Sequence, residues 1–407
     1  MIRRKRLNVS ALRRGSKAVV AQGATSATSM VLFVAVARAG DLALLGRYSI
    51  YYAAFLVAVQ VVREATITPL LSRKLSDPEL KSHAGRQSLA GLVLGPVTVL
   101  IGAMLVLPDL IWLGFGLHGM LLLHYIKLVS VTFGNGRSAI LQELVVLTAV
   151  CIAGLGAVFF DLPAQAPFLV WICMSAVVGY ISALTGRYAI RPRWRAEQGE
   201  GVASASFSLQ ALVNASSVHV LTMAVGLTAG LPTVGALRGA STLVGPANLV
   251  ITAVQPIIIR RVSAYAERPS HIRARLLLRD AALTVGAYSA AVIPLLALGY
   301  LAGEVLLGED VWPSVRPILF LVAADGLLAG VATVAVSYHR ATWNHRRALT
   351  ISLVTLIPRW SLVLSLSLVY GASGAAAGAV TATALSTLVW WFSALSHSLT
   401  RQQSAQG

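Results

Sequence analysis

The stretch Gly46-Arg-Tyr-Ser-Ile-Tyr-Tyr-Ala-Ala-Phe-Leu-Val-Ala-Val-Gln-Val-Val-Arg-Glu-Ala-Thr-Ile-Thr-Pro69 has the length and apolarity of a bilayer crossing, yet it sets Arg63 beside Glu64 near its end. A hydrocarbon core needs roughly 20 consecutive mostly apolar residues per helix. Comparable runs recur at about 17–38, 46–69, 88–107, 113–133, 138–160, 167–186, 206–229, 235–258, 281–302, 314–337, 349–369 and 373–396. None shows the period-two alternation of a membrane barrel strand. The expected fold is therefore an all-α integral membrane protein of about 12 transmembrane spans.

Composition and charge support this reading. Of 407 residues 57% are hydrophobic and only 12% charged, and the mean hydropathy is +0.75, far from the balance of a soluble domain. Cytoplasmic loops should hold the Lys and Arg of a membrane protein. With the N-terminus inside, 26 of the 33 basic residues fall in the tails and every second loop. Only Arg38, Arg47 and Arg316 fall on the outer side, and Arg63, Lys127, Arg238 and Arg359 lie within spans. Both termini are expected in the cytoplasm. A net charge of +18 would suit nucleic acid, but it is dispersed over seven inner segments, which reads as topology and contact with anionic membrane lipids. Nucleic acid is not an expected partner.

Arg3-Arg4-Lys5-Arg6 ahead of an apolar run ending Ala35-Val36-Ala37 imitates a secretory signal, but the run is too long for one and reads as the first span. Cys151 and Cys173 both lie inside predicted helices with no His or Cys at ligand spacing, so neither a disulfide framework nor a metal site is expected. No Gly-x-x-x-x-Gly-Lys-Ser/Thr loop is present. Short outer loops leave little room for an external catalytic site, and no nucleophile arrangement stands out. A non-enzyme without a cofactor is expected.

The chain divides in two. A basic tail (1–16) precedes a six-helix bundle (17–186), a basic linker (187–205), a second six-helix bundle (206–396) and a short tail (397–407). The bundles resemble each other: Gln22 to Gly46 lies against Gln210 to Gly235, Pro69-Leu-Leu-Ser-Arg73 against Pro256-Ile-Ile-Ile-Arg260, and Asn135-Gly-Arg-Ser-Ala-Ile140 against Asn344-His-Arg-Arg-Ala-Leu349. An even number of crossings per half gives both halves one orientation, hence a parallel internal repeat with the substrate path expected in a central cavity.

Polar residues concentrate on four spans. Span 2 carries Ser49, Tyr52, Gln60 and Arg63 at helical spacing, and span 8 carries Arg238, Ser241, Gly245, Asn248, Thr252 and Gln255. Span 1 adds Gln22, Ser26 and Ser29; span 7 adds Gln210, Asn214 and Ser217. Small hydroxyl residues in membrane helices serve close packing, whereas a basic group at membrane depth costs at least about 2.5–3.5 kcal/mol and faces a partner or water. Arg63 lies roughly 9 Å along the helix from Pro69, too deep for easy escape. Arg63, Gln60, Tyr52, Arg238, Asn248, Gln22 and Asn214 are the candidate cavity residues. Asp325 and Glu64 are candidate ion or proton coupling sites, and Lys127, Glu143 and Arg359 are further charges available for pairing.

This pattern, with Gly235-Ala-Leu-Arg-Gly-Ala-Ser-Thr-Leu-Val-Gly-Pro-Ala-Asn-Leu-Val250 as its most characteristic part, resembles the polysaccharide flippase branch of the multidrug/oligosaccharidyl-lipid/polysaccharide exporter superfamily. The resemblance implies a cavity lined by spans 1, 2, 7 and 8 and alternating access. It also implies transfer of undecaprenyl-pyrophosphate-linked oligosaccharide across the bacterial plasma membrane for surface polysaccharide, with Arg63 and Arg238 on the pyrophosphate. Polysaccharide polymerases or glycosyltransferases are then the expected partners. The competing expectations are a cation-coupled small-molecule antiporter and a non-transporting scaffold.

Overall fold

The computed structural model describes residues 9–66, 76–134, 136–193, 209, 212–213, 215–265, 269–342 and 345–403. Every regular element among the described residues is helical. Ten of these helices are long and apolar enough to cross a membrane, and an eleventh apolar helix, Ser216–Thr228, is shorter. Their outward faces carry large apolar side chains that water would not tolerate, among them Leu301 and Leu227 at 87% exposure and Phe392 at 76%. With backbone groups satisfied inside each helix, such faces suit hydrocarbon. The chain is a multi-pass membrane protein.

It forms two compact units, residues 1–39 with 54–215, and residues 40–53 with 216–407. The first contains α1 (Val9–Ala39), the later part of α2 (Leu42–Thr66), α3 (Asp77–Met104), α4 (Pro108–Thr132), α5 (Arg137–Phe159) and α6 (Ala166–Gly186). Helix α4 is its core, packed between α3 and α6. Glycines make that close approach possible: a Cβ on Gly95 would meet the Gly114 carbonyl, and one on Gly179 the Gly119 carbonyl. Beyond α6 the chain turns back along α3, where the Ala189 and Arg193 amides donate to the Lys81 and Gly85 carbonyls at 3.0 and 3.1 Å.

The second unit takes in Leu42–Ala53 of α2. After a π-helical turn, Ser216–Val220, come α7 (Leu221–Thr228), α8 (Leu231–Val244), α9 (Asn248–Tyr265), α10 (Ser270–Leu307), α11 (Leu319–Ala341) and α12 (His345–Gln403). Helix α12 is interrupted at Gly371, whose φ of 56° and ψ of −133° only glycine adopts cheaply. The sequence places its break between 369 and 373 at this same point.

One expectation needs correction. The stripe from Arg238 to Gln255 was read as one helix, but a 3-10 turn at Gly245–Ala247 divides it. Pro246 lacks an amide hydrogen and its ring crowds the carbonyl four residues back, which disfavours a continuous α pattern here. Ser49 is 3% exposed and donates to the Leu45 carbonyl at 2.6 Å, the packing role expected of a small hydroxyl in a membrane helix. Pro69–Arg73, residues 194–205 and Asn214 lie outside the described residues, as does the side chain of Glu64.

Candidate functional site

Each unit holds an acid and a base paired between neighbouring helices, a node formed by Lys127 with Glu143 in the first and by Arg359 with Asp325 in the second. In the first, α4 presents His124 and Lys127 three residues apart, hence on one helix face. Lys127 is ion-paired with Glu143 of α5, which is only 4% exposed. The His124 Nε2 is buried without a hydrogen-bond partner among the described residues. Arg63 of α2 and Lys127 are the two charges that act on this imidazole. Arg63, His124 and the Lys127–Glu143 pair thus lie near one another in this unit. Near the same end of α2, Gln87 of α3 donates to the Thr66 hydroxyl.

A second buried chain in this unit involves Ser88, His118 and Tyr180. The Ser88 hydroxyl donates to the Ile190 carbonyl, so it accepts from the His118 Nε2 at 2.8 Å, and Tyr180 donates to Nδ1 at 2.7 Å. All donors and acceptors are used, which marks a structural tie between α3, α4, α6 and the returning segment.

In the second unit Asp325 of α11 meets α12. Thr383 donates to the Asp325 Oδ1 at 2.5 Å, and the Arg359 Nη2 lies 3.9 Å from Oδ2. Arg359 also donates from Nη1 to Thr383 at 2.8 Å and from Nε to the Ser217 carbonyl at 2.8 Å. Asn248 joins from α9. Gly326, next to Asp325, leaves room for the Tyr288 hydroxyl, and the Asn248 Oδ1 would lie 3.3 Å from any Cβ there.

Arg238 and Tyr52 are brought together by a close helix crossing. A Cβ on Gly46 would strike the Leu231 carbonyl, and one on Gly235 the Leu42 carbonyl, so α2 and α8 touch backbone to backbone. Six residues on from Gly46 and three on from Gly235, the Arg238 guanidinium sits 4.7 Å from the Tyr52 ring centroid. That is cation–π contact.

The predicted residues therefore divide. Tyr52 joins Arg238, Asn248 joins Asp325, and Arg63 joins His124 and Lys127. Gln60 lies half-buried one turn before Arg63, and Gln22 is exposed on α1, outside both nodes. His124 and Tyr288 were missed. The signal for His124 was its three-residue spacing from Lys127; for Tyr288 the sequence offers none. Among the described residues no three His, Cys, Asp or Glu side chains group to hold a metal, and Cys151 and Cys173 are free.

No family model matches the chain, and no curated protein does. Solved structures do. An inward-facing multidrug resistance transporter of the MATE family, in the MOP superfamily, matches with a TM-score of 0.70 and 10% identity over 93% of this chain and 96% of that one. The lipid II flippase MurJ, in an inward closed conformation, matches with a TM-score of 0.70 and 13% identity over 92% and 87%. A MOP-superfamily transporter from Pyrococcus furiosus, described by the reverse polarity of its binding pocket, matches with a TM-score of 0.63 and 11% identity over 96% and 95%. The chain has the fold of these transporters.

Proposed function

We propose that the protein is a flippase that carries lipid-linked oligosaccharide, with its diphosphate, across the bacterial plasma membrane by alternating access for surface polysaccharide synthesis. The observation that carries this reading is the pair of basic side chains at membrane depth in the first unit, Arg63 and Lys127, which act together on the buried His124 beside Glu143. Basic groups at that depth are costly in hydrocarbon and normally face a partner or a water-filled cavity. A diphosphate accepts charge-assisted hydrogen bonds from this donor set. The fold shared with MurJ supports a lipid-linked substrate. In this reading the chain makes twelve crossings, with Ser216–Thr228 counted as one and α12 as two, in two parallel bundles, 17–186 and 206–396. Both termini are cytoplasmic, and a polymerase or glycosyltransferase is a natural partner.

The test is export of surface glycan in cells that depend on this chain. Arg63→Ala, and Arg63→Ala with Arg238→Ala, should cut export at least about tenfold at unchanged protein level, the worth of one lost charge-assisted contact. Unimpaired export in both variants would sink the cationic-site idea.

A second reading, a cation-coupled multidrug antiporter, draws on one observation: Asp325 is a carboxylate within the membrane, 27% exposed. It predicts resistance to cationic drugs on expression, abolished by Asp325→Asn. The hydrogen bond from Thr383 and the nearness of Arg359 weigh against it, because they already serve the charge an incoming cation would need.

A further inference from the structure

The basic segment that follows α6 is fixed to the first unit along its length. Ala189 and Arg193 donate their amides to the Lys81 and Gly85 carbonyls of α3, and the Ser88 hydroxyl donates to the Ile190 carbonyl. Tyr188 and Ile190 pack inward on a core of Leu80, Ala84, Tyr125 and Ala183. Gly85 permits this contact, since a Cβ there would lie 2.9 Å from the Arg191 carbonyl. Arg187, Arg191 and Arg193 are left exposed on the other side. Their charges are not used up within the protein. Arg187 and Arg191 have no ion pair or side-chain hydrogen bond among the described residues, and Arg193 reaches the Ser82 hydroxyl at 3.4 Å. The acids nearby are engaged: Asp77 is paired with Lys81 at 2.7 Å, and Glu79 accepts from the Ser76 amide and hydroxyl.

The helices set the depth of these arginines. Helix α6 ends at Gly186, so Arg187 stands at the foot of an apolar span. Gly85, where Arg193 docks, precedes the apolar run of α3 by roughly 4.5 Å at 1.5 Å per residue, inside a head-group layer about 5–7 Å thick on each side. Along α6, Val177, Ile181 and Leu184 share one helix face at 46%, 54% and 66% exposure, and Arg187 comes three residues after Leu184. An apolar stripe that ends in exposed guanidinium groups complements an amphiphile with an anionic head. We propose that this part of the first unit is a binding surface for anionic phospholipid, with head-group phosphates against Arg187, Arg191 and Arg193 and acyl chains along Val177, Ile181 and Leu184. Guanidinium groups bind phosphate oxygens through charge-assisted hydrogen bonds. Backbone bonds already hold the segment on α3, so the cost of ordering it falls on folding and not on lipid binding. This inference concerns the first unit alone and stands whatever the transported substrate is.

The experiment measures thermal unfolding of the purified full-length protein in neutral detergent with added phosphatidylglycerol or, as the uncharged control, phosphatidylcholine of the same acyl chains. Phosphatidylglycerol should raise the Tm of the native chain by at least about 3 °C more than the control does, as a ligand of the folded form provides. Arg187→Gln with Arg191→Gln and Arg193→Gln should lose about two thirds of that difference or more. Arg260→Gln with Arg275→Gln and Arg279→Gln removes as many exposed charges from the second unit and should keep it. Equal losses in the two triple variants would overturn the proposal, because the lipid would then answer dispersed charge and not this surface. Leu184→Asn should also reduce the difference, and inorganic phosphate should not reproduce it. A full gain from inorganic phosphate would mean an anion site without a lipid, and a gain from a polyprenyl diphosphate with none from phosphatidylglycerol would assign the surface to a transported lipid; either result overturns the proposal. Should the first triple variant fail to fold, Arg191→Gln alone is compared with the native chain by native mass spectrometry, counting retained phosphatidylglycerol. Fewer retained molecules are expected, and undiminished retention would overturn the proposal.

Discussion

The two units solve the same problem, an acid and a base at membrane depth, in different ways. In the first, Lys127 contacts Glu143 directly, and side-chain exposures of 18% and 5% leave the pair nearly dry. In the second, Arg359 and Asp325 stand 3.9 Å apart with exposures of 22% and 27%, and Thr383 bridges them through its hydroxyl. The first node also has Arg63 and His124 at its side, whereas the second is balanced charge for charge. A buried direct pair cannot lose a partner without leaving a bare charge, so it serves as architecture. A pair 3.9 Å apart and bridged by a hydroxyl can part more cheaply. Each unit also carries a further arginine at membrane depth, Arg63 near the first pair and Arg238 over the Tyr52 ring in the second unit.

The largest effect should follow from breaking the first pair on one side. Glu143→Gln strands the Lys127 ammonium and should destabilise the protein by about 3–5 kcal/mol, whereas Lys127→Leu with Glu143→Leu should recover most of that loss. Cooperative unfolding in mild detergent measures both. Equal losses in the single and double variants would mean that the site's shape, not its charge balance, is what matters. The corresponding change in the second unit, Asp325→Asn, should cost less, about 1.5–3 kcal/mol, because Arg359 keeps its bonds to Thr383 and the Ser217 carbonyl. Parity between Glu143→Gln and Asp325→Asn would erase the contrast. Removing only the bridge, Thr383→Val, should cost about 1 kcal/mol.

Part of this contrast was legible in the sequence and part was not. Helix positions follow from runs of apolar residues, so the run predicted at 113–133 appears as Pro108–Thr132. The break in α12 follows from Gly371, which the predicted gap already contained. The break between α8 and α9 was also legible, since Gly245-Pro246 announces it, but a hydropathy window passes over a single proline. Which charges pair was not legible. Lys127 and Glu143 lie on neighbouring helices, and their meeting depends on the rotation of each helix, set by glycine contacts of α4 that no local pattern encodes. For the same reason Asn248 and Asp325 were each singled out without any sign that they share a site. His124 needed only its spacing from Lys127 on one helix face.

The last variants test a third arrangement, in which a membrane arginine is satisfied by an aromatic face. Arg238 lies over the Tyr52 ring at 4.7 Å, held there by the backbone contact of Gly46 with Gly235. The attraction comes from the ring's quadrupole and is worth about 0.5–1 kcal/mol at an exposed site and ~2 kcal/mol when dry. Tyr52→Phe retains the ring but loses the hydroxyl that hydrogen-bonds to Arg238 and should cost about 0.5–1.5 kcal/mol of thermal stability, while Tyr52→Leu loses ring and hydroxyl together and should cost about 1 kcal/mol more. The same pair of variants separates structure from transport. If Arg238 also meets the substrate, Tyr52→Leu should lower glycan export beyond what its loss of stability explains, because an unanchored guanidinium is no longer positioned. If export follows stability alone, Arg238 belongs with Lys127 as architecture, and Arg63 is left as the membrane-depth arginine with a substrate to hold.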